Sequence, residues 1–195
     1  MASAAPIGRD GNYSDEDFKE KVNADLANNI GNLLNRTLNM LVKYFDGEIK
    51  AESITDKNSK IAQYAQNAKN QIIESFNNYE IAEAAGIIVS FADFVNKYVT
   101  ETAPWTLAKE GKMQECSEVL YNVLEAMRHI GIMLYPFCPN ISKDILIQLN
   151  EDLDFKYDKL EWGIIKEGKI TDKEKIKPVF LRLDSEFAID KKKGK

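Results

Sequence analysis

The sequence predicts an all-α fold: a bundle of about five helices with an extended C-terminal tail packed on it. Three observations carry this expectation. Apolar residues recur at steps of three and four almost without interruption as far as Asn150. The breaks between runs fall at residues that stop or start helices, namely Asp46-Gly47, Pro104 and Pro139. After Asn150 the periodicity is lost, and short apolar groups alternate with scattered Gly and Pro, the pattern of irregular chain.

Ser14 is placed to cap the start DEDFKEKV, whose Asp15, Glu16 and Asp17 suit the positive end of a helix dipole. The stripe then runs through Phe18, Val22, Leu26, Ile30, Leu33, Leu34, Leu38, Leu41 and Phe45, as one long helix or two in tandem. Asn23 and Asp25 are capping types inside that run, so a joint or kink is expected there. Gly47 closes it, because glycine takes the left-handed conformation that ends helices. A second helix is predicted from about Asn58 to Asn77, with Ile61, Tyr64, Ala65, Ala68, Ile72 and Phe76 on one face. A third begins near Glu80 and carries Ile81, Ile88, Phe91, Ala92, Val95, Tyr98 and Val99, while Ala84, Ala85 and Gly86 suggest close approach of a neighbouring helix. Pro104 breaks it, since the residue before a proline is pushed out of helical geometry. The fourth covers Met113 to Leu134 with Cys116, Leu120, Val123, Leu124, Met127, Ile130 and Leu134 inward, and a short fifth follows Pro139-Asn140 with Ile141, Ile145 and Leu149 as its stripe. The tail is expected to fold Trp162, Ile164, Val179, Phe180 and Leu183 back onto the bundle and to end in a solvated KKKGK.

Composition excludes several classes. At 195 residues, 44% hydrophobic and 29% charged, the chain can bury a proper core and is not a disordered polymer. A net charge of -5 argues against wholesale coating by nucleic acid but leaves room for a local RNA-binding patch. Cys116 and Cys138 stand far apart beside a single histidine, which supports neither a zinc site nor a disulfide framework and fits a reduced, cytoplasmic setting. No run is long and apolar enough to span a membrane. Residues 1–5 read as an appended leader.

For catalysis the residues offer little. His129 shares its helical face with Glu125 and apolar residues, so a structural or surface histidine is expected. No GxGxxG, GxxxxGK[ST] or HExxH occurs. The Asp15-Glu16-Asp17 cluster is explained by the helix dipole. The sequons at Asn12, Asn35 and Asn140 lack a secretion signal and are read as chance.

Two places suit recognition. Asn28, Asn32 and Asn35-Arg36 lie on successive turns, and Asn32 and Arg36, four apart, project side by side. Together an amide and a guanidinium offer donors and an acceptor in the geometry of an unpaired base edge. Equally, Asn32 can bond locally while Arg36 pairs with a carboxylate. Trp105, directly after Pro104, either enters the core as a helix begins or presents its ring to a flat ligand, where base stacking contributes about 1–3 kcal/mol.

These residues carry a resemblance. The segment from Ile7 to Ile49, followed by TETAPWTLAKEG, resembles the C-terminal anticodon-binding domain of methionyl-tRNA synthetases, which are class I aminoacyl-tRNA synthetases. The DGN leader, the NLxxR helix, the APWxxAK turn and a closing PVFLRLD all occur in the family's order, from about Pro6 to Asp184. The resemblance implies that Asn32 and Arg36 hydrogen-bond anticodon bases, that Trp105 stacks beneath the wobble cytosine and that Pro104 shapes the turn. It implies a fragment that binds the CAU anticodon loop of methionine tRNA. Its parent would be an ATP-dependent methionine–tRNA ligase, with ATP, magnesium and the HIGH and KMSKS motifs in a catalytic domain not represented here, and with that domain as a second partner. RHIGI, at Arg128 to Ile132, resembles part of HIGH but falls within a helix rather than a strand-to-helix loop. Residues 6–25 are then a connecting segment and first helix, 26–150 the anticodon-binding bundle, 151–186 the wrap and 187–195 a solvated tail. No cofactor or metal is expected in this segment, and no membrane partner. The alternatives are the anticodon domain of a cysteine, leucine or valine synthetase, or a helical protein-interaction module.

Overall fold

The computed structural model of the chain describes residues 14–50 and 59–183. The leader and the lysine-rich end lie outside the described residues. Ser14 caps the first helix as expected, its hydroxyl accepting from the Asp17 backbone N–H at 3.3 Å. α1 (Asp15–Lys21) continues without a break into a π-helical stretch (Val22–Gly31) and then α2 (Asn32–Phe45). The expected joint at Asn23 and Asp25 is therefore a change of winding, not a cap, and the boundary between 25 and 26 falls inside one rod. Asp25 pairs with Lys21 at 2.8 Å, while Asn23 turns outward to the tail.

Asp46 and Gly47 end the rod with φ of 55° and 76°. A Cβ on Gly47 would lie 2.0 Å from the Thr171 carbonyl, so the turn and the close approach both require glycine. The Gly47 carbonyl accepts from Ile170 and Thr171, beside an antiparallel pair of β1 (Glu48–Ile49) and β2 (Gly168–Lys169). Strands of two residues leave no periodicity for sequence reading to detect.

Ser59 caps α3 (Lys60–Asn77), which pairs with α4 (Ile81–Thr102). Tyr64 of α3 stacks on Phe94 and Phe91 of α4 at 4.2 and 5.6 Å between ring centroids. The close approach expected at Ala84-Ala85-Gly86 is a correction: only Ala84 is buried, and a Cβ on Gly86 would meet nothing within 4 Å. α4 stops at Ala103, whose φ of 43° is left-handed, and Pro104 opens a short α5 (Pro104–Lys109). α6 (Met113–Leu134) and α7 (Pro139–Gln148) complete five helical rods with α5 as a small addition.

α6 is the axis of the molecule. The sequence suggests an amphipathic helix, yet every residue from Val119 to Leu134 is buried. Its polar face is covered by the tail, and the polar groups are satisfied there. The Glu125 carboxylate accepts from Arg128 Nε and Nη2 at 3.1 and 3.0 Å, from the Tyr121 hydroxyl at 3.3 Å and from the Ile165 backbone N–H at 2.6 Å. Arg128 also donates to the carbonyls of Lys159, at 2.7 Å, and Glu161. The Nδ1–H of His129 donates to the Glu125 carbonyl at 2.9 Å, and its ring tilts against Trp162. The histidine is structural. Burial, followed by the nearby Arg128 charge, lowers its pKa from 6.5 to about 3.

The tail buries Leu160, Trp162, Ile165, Ile170, Val179 and Phe180, while Ile164 and Leu183 are half-buried. Its last stretch is a strap tied at both ends by amide side chains. Gln148 bonds both the N–H and the carbonyl of Lys177 at 3.0 Å, and Asn23 does the same to Leu183 at 2.8 and 3.1 Å. Both cysteines are free.

Removing Arg128 strands a buried carboxylate. Arg128→Ala should therefore cost about 3–5 kcal/mol in urea unfolding, no less than Leu34→Ala in the apolar core, at about 2–5 kcal/mol. The folded state keeps His129 neutral to about pH 3, whereas the unfolded chain protonates near 6.5. The contribution is thus fully present above 6.5 and is lost as pH falls toward 3. Urea midpoints measured across that window should fall less steeply for His129→Gln than for the parent chain.

Candidate nucleic-acid interface

Asn32 opens α2 and is exposed. Arg36, one turn on, is half-buried, and its Nη2 donates to Asn96 Oδ1 of α4 at 3.0 Å. Asn96 is itself held: its Nδ2 donates to Asn29 Oδ1 at 2.6 Å and to the Ala92 carbonyl at 3.0 Å. Asn29, on the π stretch, donates in turn to Asp93 at 2.7 Å. Arg36 therefore has an amide partner rather than the carboxylate that local pairing would supply. Its Nε is shut from solvent without a partner, and burial lowers the guanidinium pKa from its ordinary value.

The rest of the asparagine row is otherwise engaged. Asn28 accepts from Arg182 of the strap at 2.6 Å, and Asn35 accepts from Asn39 at 2.8 Å through its carbonyl and 3.0 Å through its side chain. Sequence reasoning missed Asn29, Asp93 and Asn96. The available signal was Asp93 and Asn96, polar and three apart within the apolar stretch Phe91–Val95 and its flank.

Pro104 is buried at the first position of α5, where it lacks the N–H that a helix start leaves unpaired. Its carbonyl accepts from the Cys116 thiol at 3.3 Å, while the Ala103 carbonyl accepts from Thr106 and Leu107. Trp105, which follows, divides the two expected roles. Part of its ring packs against the core and part remains accessible. Arg36 is thus anchored on the same helix whose end presents Trp105. At 1.5 Å per residue, Asn96 is about 9 Å along that axis from its last residue, Thr102.

The surroundings are mixed in charge, with Lys97 beside Glu101 at 3.8 Å and Lys112 beside Glu110 at 2.8 Å. A ligand here would be held by stacking and hydrogen bonds more than by phosphate attraction. A separate cleft of ≈ 460 Å³ between α6, α7 and the tail contains none of these residues. Burial raises the pKa of Glu151 in that cleft. Among the described residues no group of His, Cys, Asp and Glu is placed to hold a metal ion, and no helix is long and apolar enough to cross a membrane.

Residues 58–181 match the family model described as the anticodon-binding domain of tRNA ligase, and residues 1–38 match that of class I (M) tRNA synthetases. The methionine–tRNA ligase of Caldanaerobacter subterraneus subsp. tengcongensis is 39% identical over 185 residues, covering 93% of this chain and 28% of the relative. That of Listeria innocua is 38% identical over 190 residues, covering 94% and 28%. The apo form of Mycobacterium tuberculosis methionyl-tRNA synthetase superposes with a TM-score of 0.84 at 26% identity, covering 94% of this chain and 37% of that one. The chain spans about 28% of the length of the curated relatives it matches. With the five-rod bundle, the NLxxR row and the APW turn described above, these likenesses establish that the chain belongs to the anticodon-binding domain family of tRNA ligases, in its methionyl-tRNA synthetase form.

Proposed function

We propose that this chain reads the CAU anticodon loop of methionine tRNA for a ligase that attaches methionine to it. One observation carries the reading: Arg36 is anchored on α4, the helix whose end presents the half-exposed Trp105, with Asn32 exposed one turn before Arg36. In this mechanism Trp105 stacks on the wobble cytosine and accepts any flat base, while Asn32 and Arg36 select by hydrogen bonds to base edges. Pro104 fixes the direction from which the ring is offered. The unpaired, solvent-shielded Nε of Arg36 costs about 1–3 kcal/mol, which favours a shift of the guanidinium when RNA binds. The resting bond to Asn96 is to a neutral amide, which a base or phosphate oxygen can replace.

The adenylation chemistry belongs to the remainder of such a ligase. In the proposed whole ligase, ATP and magnesium are held by the catalytic domain that is this segment's second partner. The setting proposed for the whole protein is the cytoplasm.

Titration of a CAU stem-loop against the chain tests the proposal. Trp105→Ala should weaken binding of many single-stranded loops by about 1–3 kcal/mol, and Trp105→Phe by less, because a smaller ring still stacks. Arg36→Ala and Asn32→Ala should weaken CAU binding and also blur discrimination, Arg36→Ala by about 1.5–3 kcal/mol for a charged hydrogen bond. Equal binding of CAU and scrambled loops would instead support a protein-interaction module. The chain alone should not exchange pyrophosphate with ATP in the presence of methionine; detection of methionyl-adenylate would overturn the division of labour.

A further inference from the structure

We infer that Asn23 is a positioning residue for the anticodon-reading row: by gripping the strap it fixes the winding of the π stretch that holds Arg36 in place. The inference rests on the anticodon reading above. A run of π-helix is unusual, because its i→i+5 bonds have poorer geometry than those of an α-helix, and it persists where surrounding contacts over-determine it. Here the strap supplies those contacts and runs antiparallel along the stretch. Leu183 is bonded through both its N–H and its carbonyl to Asn23. Arg182 donates to Asn28. Phe180 packs on Gly31, where an added Cβ would stand 3.3 Å from the ring.

What the winding controls is the contact of the same stretch with α4. Asn29 reaches α4, donating to Asp93 and accepting from Asn96, and Asn96 accepts from Arg36. Rewinding Val22–Gly31 as α-helix would turn Asn29 relative to α4, because the two helix types advance by different angles per residue. Asn96 would lose a partner and Arg36 its anchor, without any change at Arg36 itself. The Asn23 side chain is bonded to the strap and need not touch RNA; it acts through the strap, Asn29 and Asn96. The strap's far end is tied by the same double amide bond from Gln148 to Lys177, so its tension is set from α7.

The test is titration of the CAU stem-loop, and of a loop with one anticodon base changed, against the chain and its variants at a temperature where all are folded. Asn23→Ala should lower CAU affinity roughly three- to tenfold, the scale of one hydrogen bond's influence, and should narrow the preference for CAU over the changed loop. Asn23→Asp keeps the acceptor for the Leu183 N–H and should fall between. Gly31→Ala, which crowds Phe180, should act in the same direction and provides a second route if Asn23→Ala does not fold. Amide hydrogen exchange within Val22–Gly31 should quicken in each. If Asn23 only stabilised the fold, the thermal midpoint would drop while the CAU preference stayed at the parent value, and that result overturns the inference. An Arg36→Ala chain that keeps both affinity and preference would instead defeat the anticodon reading on which it rests.

Discussion

The structure depends on a carboxylate and a guanidinium buried in the middle of α6. Glu125 and Arg128 are each almost wholly removed from water, at 0% and 1% exposure, a situation that is costly unless every remaining hydrogen-bonding position is filled. The tail fills them, with the Ile165 N–H on the carboxylate and the carbonyls of Lys159 and Glu161 on the guanidinium. The irregular segment is therefore not an appendage. It completes the solvation of the central helix, and in exchange its own unpaired backbone groups find partners that secondary structure does not provide.

That closure has consequences at a distance. Once the tail is fixed over α6, its later part passes Gln148 on α7 and arrives at the π stretch, where the strap lies down antiparallel to it. The same chain that satisfies a buried ion pair thus ties α7 to the rod carrying Asn32 and Arg36. On the other side, α4 receives Arg36 through Asn96 and ends in the left-handed Ala103 that launches Trp105. Arg36 and Trp105 come from separate parts of the chain, and α4 is the element both adjoin.

The chemistry of this surface is compatible with the proposed RNA partner despite the acidic balance of the chain. Exposed lysines around the site stand beside glutamates, so long-range attraction is weak and short-range fit must do more. A partly seated indole loses little freedom on stacking, and a guanidinium already held by a neutral amide has a defined starting geometry. Both features favour selectivity over raw affinity, as the proposed anticodon reading requires.

Local information was enough for much of this. The cap at Ser14, the left-handed end at Gly47, the break at Pro104 and the start at Pro139 each depend on a few neighbouring residues, and all are where the sequence puts them. Asn32 with Arg36, and Pro104 with Trp105, stood out as residue types at short spacings, but only the family resemblance gave them roles. The burial of both faces of α6 was not, because its polar side looks solvated until residues some thirty to forty positions later fold over it. The π winding was foreshadowed only as a joint near Asn23 and Asp25, and the strap bonds beside it, between Asn23 and Leu183, join positions 160 apart. Asn96 stayed unnoticed because an amide in a helix gains its meaning only when another helix brings Arg36 to it. Sequence by itself determined where the helices begin and end, since those choices are settled by backbone sterics and nearby side chains. Tertiary structure alone decided which polar groups are partnered, because a hydrogen bond across the chain exists only once distant segments have been packed together.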